Sequence, residues 1–231
     1  MRSQPAPSND DYDGIADLVV PAEWTADEQQ RTLEALLALV AEWGFPKVQA
    51  VVSGGQYAHP KGVFYGGTEP VWSHRWLRQW CADNLGDAQR VIIVDLHTGL
   101  GPWGHGELIA SAAPGEPMFD RAAALWPDAK SMLAGDSVSA TLAGDWLNIA
   151  DQLAPHAEVT PICIEYGTVD GIAVLQSLRA DAWLHGHGDP TGPQAAAVRA
   201  QVRAAFADDD PAWIAACWPR FLEVLSAALH G

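Results

Sequence analysis

The stretch VIIVDLHTGLGPWGHGE, from Val91 to Glu107, decides the fold. Four apolar residues, Val91 to Val94, read as a buried strand that delivers Asp95 and His97 to its end, and a glycine-rich loop follows. A second apolar run, from Val159, ends in Ile162-Cys163-Ile164-Glu165-Tyr166-Gly167-Thr168 and does the same for Glu165. Two apolar strands that each end in a chemically capable side chain are how an α/β enzyme assembles a site at the carboxyl ends of its strands.

The segments around these strands set the architecture. Thr25 followed by Glu28 is a capping box, and the helix it opens carries Leu33, Leu36, Leu37, Val40 and Trp43 before stopping at Gly44. Val48 to Val52 reads as a short strand running into a long loop over 53–70, rich in Gly, Pro and Tyr. Ser73 is placed to cap a helix reaching Asn84, with Leu77, Trp80 and Cys81 turned inward. Further helical patterns cover 118–126, 138–152, 169–185, 193–207 and 211–229. Strand–helix alternation with apolar strands predicts an α/β fold, helices covering a mainly buried sheet. The sheet is thin for so many helices. Either further strands lie near 63–66 and 107–110, or part of the sheet is supplied from elsewhere. Residues 1–14 are polar and proline-containing and read as an arm, leaving 15–231 as a single α/β domain.

Composition excludes several function classes. With a net charge of −16, the chain lacks the clustered Lys and Arg that nucleic-acid phosphates require. The three cysteines, Cys81, Cys163 and Cys217, are far apart and sit in apolar runs, which predicts free buried thiols in a reducing compartment. No apolar signal-peptide core follows Met1, and no stretch approaches the roughly 18 apolar residues of a membrane span, so a cytoplasmic location is expected. The eleven Trp read as core and interface filling, since Trp76, Trp80, Trp183, Trp213 and Trp218 fall in helical segments.

Positions 95 and 97 share one side of a strand, so Asp95 can orient the His97 imidazole or join it in facing one pocket. A histidine with an accompanying acid suits a metal ligand or a general base; a strand-end histidine bonded to backbone is the structural alternative. Glu165 follows Ile-Cys-Ile, where an unpaired charge is costly, and suits either general acid–base work or an ion pair. His105 and Glu107 form a Gly-His-Gly-Glu turn, read as loop anchoring with ligand duty as the alternative. His185 and His187 end a helix, where the dipole accounts for them. Ser53 lacks the Gly-x-Ser-x-Gly setting of a nucleophile elbow, and no phosphate-loop or dinucleotide fingerprint occurs.

Together SGGQYAHPKGVFYGGTEPVWS, DLHTGLGPWGHGELI and CIEYGT resemble an uncharacterised bacterial family related to the zinc carboxypeptidases and the aspartoacylase-like amidases. The resemblance runs from about Tyr12 to the C-terminal helix. It implies a three-layer α/β/α fold around a mixed sheet and a zinc-dependent hydrolase of peptide or N-acyl amino acid bonds. In that family the zinc is held by a His-x-x-Glu pair and a later histidine. His97 matches the later histidine, Glu165 matches the glutamate that activates water, and Asp95 stands behind His97. The sequence contains no His-x-x-Glu. The resemblance therefore implies an N-terminally shortened member in which zinc lacks two of its expected ligands. The other reading is a short form that recruits His105, Glu107 or His59. A non-catalytic binding or assembly module derived from the same fold is the competing expectation. A shortened sheet would expose apolar edges, so self-association is expected as well.

Overall fold

The computed structural model describes residues 8–142 and 144–231. In chain order its helices are α1 (Asp10–Asp13), α2 (Ala16–Val19), α3 (Ala26–Trp43), α4 (Phe45–Ser53), α5 (Trp72–Asn84), α6 (Pro117–Leu125), α7 (Ala150–Leu153), α8 (Gly171–Gly186), α9 (Ala195–Phe206) and α10 (Pro211–His230). The strands are β1 (Arg90–Trp103), β2 (Gly106–Ala110), β3 (Lys130–Ser131) and β4 (Glu158–Gly167), with 3-10 turns at Met132–Ala134 and Trp146–Ile149. The chain divides into two compact units, Met1–Glu69 with Leu175–Val202, and Pro70–Val174 with Arg203–Gly231.

The first unit is helical. Its core gathers Tyr12, Val19, Leu36, Val48, Val52, Trp183 and Leu184. Thr25 caps α3 as expected, its side chain accepting from the Glu28 amide at 3.2 Å. The arm expected over 1–14 lies partly outside the described residues. Within the described part, α1 is a helical turn whose Tyr12 is fully buried. Val48 to Val52 is not a strand but the body of α4. Its buried residues, Val48, Val51 and Val52, recur at helical spacing, and Pro46 sits in the first turn where its missing N–H costs nothing. Buried Arg179 donates from Nε to the Val19 carbonyl at 2.9 Å and from Nη2 to that of Leu18 at 2.8 Å, closing the open end of α2. The 53–70 loop is organised by the buried Gln56 amide. Its Nε2 donates to the His59 carbonyl at 2.8 Å, and its Oε1 accepts from the His59 amide at 2.7 Å.

The second unit holds the sheet, in the order β1-β4-β2-β3. β1 runs parallel to β4, β2 is antiparallel to β4, and β3 is parallel to β2. This is the expected α/β arrangement, a mixed sheet with flanking helices. β2 occupies the second site where a further strand was expected; at 63–66 there is only a single bridge, Tyr65 to Gln56. One sheet face buries Leu108, Ile162, Ile164 and Tyr166 under Ala122 of α6 and Trp213, Cys217 and Val224 of α10. The other face buries Ile109 and Cys163 with Met132 and Leu147.

Four sequence expectations are corrected in this unit. The 138–152 helix reduces to the 3-10 turn at Trp146–Ile149 and the single turn of α7, because Gly144 precedes a local cap in which Asp145 accepts from Leu147. Helix α5 begins at Trp72, so Ser73 is not its cap, and Cys81 alone is fully buried along it. Trp76, Trp80 and Trp218 are exposed, while Trp183 and Trp213 fill cores as expected. Finally, α10 is long and apolar enough to cross a membrane by length and composition, although Trp213, Cys217 and Val224 dock one of its faces on the sheet.

Candidate functional site

The site residues converge because of strand register. His97 on β1 lies directly opposite Glu165 on β4, which lies opposite Glu107 on β2. One alternate position back, Asp95 lies opposite Cys163, and Cys163 opposite Ile109. Cross-strand partners share a face, so a row of chemically capable side chains runs across the sheet's second face.

His97 is held between two carboxylates. Its Nε2 lies 3.0 Å from Asp95 Oδ2, and its Nδ1 lies 3.8 Å from Glu165 Oε2. Asp95 Oδ2 also accepts from the Trp146 indole at 2.8 Å. The other oxygen of Glu165, Oε1, accepts from the Leu100 amide at 2.9 Å. The glutamate is thus fixed by β1 itself, which runs on past the histidine to Trp103 where the sequence predicted a glycine-rich loop, and Oε2 is aimed at the ring. The His97 side chain is 51% exposed and that of Glu165 only 9%, so the pair is open to solvent on the histidine side alone.

This environment separates the three protonation equilibria. The hydrogen bond to Asp95 raises the His97 pKa above its ordinary value against the cost of burial, with the Asp95 and Glu165 charges adding to the rise. Burial pulls Asp95 upward, but hydrogen bonds from His97 and Trp146 outweigh it and the net shift is downward. Burial raises Glu165, which the Leu100 amide and His97 offset only in part. A buried carboxyl with a raised pKa beside an imidazole is suited to take up and return a proton.

Glycine geometry shapes the rim. Gly99 has φ +141°, and a Cβ at Gly167 would run into the carbonyl oxygens of Gly101 and Pro102. The register of β1 against β4 breaks between Gly99 and Trp103, where the bulge turns the Leu100 amide toward Glu165. Thr98 Oγ1 donates to the Phe206 carbonyl at 2.6 Å, and Trp213 Nε1 to that of Gly167 at 2.9 Å, which fix the bulged ends of β1 and β4 from outside.

The structure therefore brings Asp95, His97 and Glu165 together. Glu107 shares their rung but is engaged by Lys130 Nζ at 2.9 Å and by the Val138 amide at 2.7 Å. His105 anchors its turn through backbone: its amide donates to the Pro102 carbonyl, and its carbonyl accepts from Gly167. Its side chain is exposed. His59 belongs to the helical unit, where Nε2 lies 2.8 Å from Asp13.

The sequence reading missed Cys163. Its Sγ, a ring nitrogen of His97 and a carboxylate oxygen of Glu165 all lie within 4.8 Å of one another, forming a donor set of a kind that holds a divalent metal. Strand alternation was the available signal, since residues 163 and 165 must share a face. Burial, together with the charges of Glu165, Asp95 and Asp145, raises the Cys163 thiol pKa far above its ordinary value. Trp146 and Leu100, which orient the two acids, were also not foreseen.

No curated protein and no solved structure matches the chain. A family pattern covers residues 1–220, and by that match the chain belongs to the family described as protein of unknown function DUF2817.

Proposed function

We propose that the His97–Glu165 pair is the acid–base half of a metal-dependent hydrolase acting on peptide or N-acyl amino acid bonds, on a carboxypeptidase-like fold. One observation carries this reading: a buried glutamate with a raised pKa has one oxygen pinned by a backbone amide and the other aimed at a carboxylate-backed histidine. Asp95 engages Nε2 and so leaves Nδ1 as the ligand atom, which is how metal-binding histidines are commonly oriented. On this reading zinc would be held by His97 Nδ1 and Cys163 Sγ, with Glu165, the third member of the cluster, kept for the water. When bound, the metal would polarise the scissile carbonyl and lower the pKa of the attacking water.

The chain's own residues do the remaining work. Glu165 accepts a proton from the attacking water as the C–O bond forms, then returns it to the amine nitrogen as the C–N bond breaks. The products are a carboxylic acid and an amine. Asp95 and Trp146 hold the imidazole in place throughout. Trp146 also lines a cavity of about 270 Å³ with Leu77, Ile149 and Leu153, which would accept an apolar substrate side chain. The buried thiols Cys81, Cys163 and Cys217 support a reducing, cytoplasmic setting.

The test is zinc content and hydrolysis of a panel of dipeptides and N-acetyl amino acids, on protein purified without chelator. Wild type should carry zinc and turn over at least one substrate class. His97→Ala should lose zinc, and Glu165→Gln should keep zinc and lose turnover by a hundredfold or more. Negligible zinc and no hydrolysis in wild type would overturn the proposal. That result would favour the second reading, a non-catalytic binding module, which the missing His-x-x-Glu motif supports. Loss of zinc in Cys163→Ser and Glu165→Gln alike would make Glu165 a ligand and remove it as the base.

A further inference from the structure

Helix α10 carries two apolar faces, and the sheet uses one. On the inner face, Trp213, Cys217 and Val224 are buried, and the Val224 carbonyl accepts from Trp126 Nε1 at 3.3 Å. On the outer face Ile214, Trp218, Leu222, Leu225 and Leu229 are 54, 54, 46, 37 and 71% exposed. Successive steps of three and four residues put these five side chains on one continuous stripe, the spacing of a helix–helix seam. At about 200 Å² for a large side chain, the stripe leaves roughly 500 Å² of apolar surface in water. That is at the upper end of what a monomer exposes, and with a polar rim it approaches the roughly 800 Å² per partner of a stable interface.

Two features select the occupant. The first is self-complementarity. A two-fold axis between Phe221 and Leu222 sets Ile214 against Leu229 and Trp218 against Leu225, and brings the two Leu222 side chains together at the centre. A two-fold interface needs that reciprocity, in which residue i meets j and j meets i. The second is charge. The chain carries a net −16, yet the only Asp, Glu, Lys, Arg or His side chains along α10 are Arg220, Glu223 and His230, and Arg220 pairs with Glu223 at 2.9 Å. Two copies of so acidic a chain repel least where this helix faces outward. A membrane surface is a poorer fit, because interfacial helices flank their apolar face with several Lys or Arg and α10 has a single, paired Arg.

We propose that α10 is a self-association surface, through which two copies of this chain pair by antiparallel contact of the Ile214–Leu229 stripe. The surface is independent of the hydrolase reading. Sedimentation equilibrium of the full chain over a micromolar concentration series should give a dimer. Trp218→Glu and Leu222→Glu should each weaken it at least a hundredfold with an unchanged thermal midpoint. Orientation is read separately by oxidative cross-linking. Leu222→Cys should link to itself, and Ile214→Cys should link only when Leu229→Cys is present. A monomer at every concentration would overturn the proposal, as would a dimer that survives both glutamate variants or Ile214→Cys linking to itself. Co-flotation of the wild-type monomer with phosphatidylcholine–phosphatidylglycerol vesicles would overturn it in favour of a membrane.

Discussion

Glu165 and His97 both withdraw stability from the metal-free protein as pH rises, each in its own window. Burial raises the Glu165 pKa above its ordinary 4.5, so its contribution is fully present below that value and is lost as pH rises through the folded-state pKa. Glu165→Gln removes that loss while keeping an acceptor for the Leu100 amide. Urea denaturation should therefore show the variant gaining on wild type between pH 4.5 and neutrality, with no gain below pH 4.5; equal pH profiles would contradict the burial argument. His97 is raised above 6.5, chiefly by its hydrogen bond to Asp95, so its contribution is present below 6.5 and lost above its folded-state pKa. An NMR titration should place the His97 midpoint above 6.5, and Asp95→Asn should bring it down. Tyr166 offers a contrasting case. Its hydroxyl is buried without a hydrogen-bond partner, and burial raises its pKa to about 12. Removing an unsatisfied buried hydroxyl relieves a desolvation cost of about 1–3 kcal/mol. Tyr166→Phe should therefore be neutral or stabilising by up to about 1 kcal/mol in urea melts. A loss of more than that would mean the hydroxyl has a partner.

At the scale of elements, the site depends on the β1–β4 pairing and on the bulge that follows it. A Cβ at Gly167 would meet the carbonyls of Gly101 and Pro102, which cannot yield without breaking the bulge. Gly167→Ala should cost about 1–3 kcal/mol, as overpacking does, and should move the Leu100 amide away from Glu165. Gly86→Ala, where a Cβ meets nothing within 4 Å, should be close to neutral; equal urea midpoints for the two variants would sink the argument. The two long strands were legible because their apolar runs end at a histidine and a glutamate, and a one-residue slip would turn those side chains to the other face. The α4 segment was not, because VQAVV fits both a strand and a helical turn, and only the helical core around Val48, Val51 and Val52 decides between them. β3, two residues long, carries no periodicity to read. Asp95, His97 and Glu165 could be named from the ends of the apolar runs alone, although β1 continues past His97 to Trp103. Their orienting partners Trp146 and Leu100 could not, because those contacts are set by a 3-10 turn and a bulge that no local pattern marks. Pro161 in β4 makes the same point. It pairs toward β1, while β2 covers only Cys163 to Tyr166, so the ring sits where β4 needs no amide on its second side.

For the whole molecule, the dominant electrostatic fact is the imbalance of 29 acidic against 13 basic side chains. Many of the basic groups form exposed ion pairs such as Arg31–Glu28, Lys47–Asp11 and Arg203–Asp209. Such exposed pairs contribute little, and salt screens them. The excess carboxylates act over a longer range and oppose compaction throughout the chain, and salt screens that repulsion too. The second effect involves more charges and outweighs the loss of a few surface pairs. Raising NaCl from about 0.02 to 0.3 M shortens the Debye length from roughly 20 to 6 Å, less than the spacing of most charges on the surface. The thermal midpoint at pH 7.5 should therefore rise by a few degrees over that range. The α10 dimer should tighten in parallel, because two copies of like charge approach more easily when screened. A flat or falling midpoint would mean that the surface pairs outweigh the net charge. A dimer weakened by salt would mean that ion pairs, and not the apolar stripe, hold the two copies together.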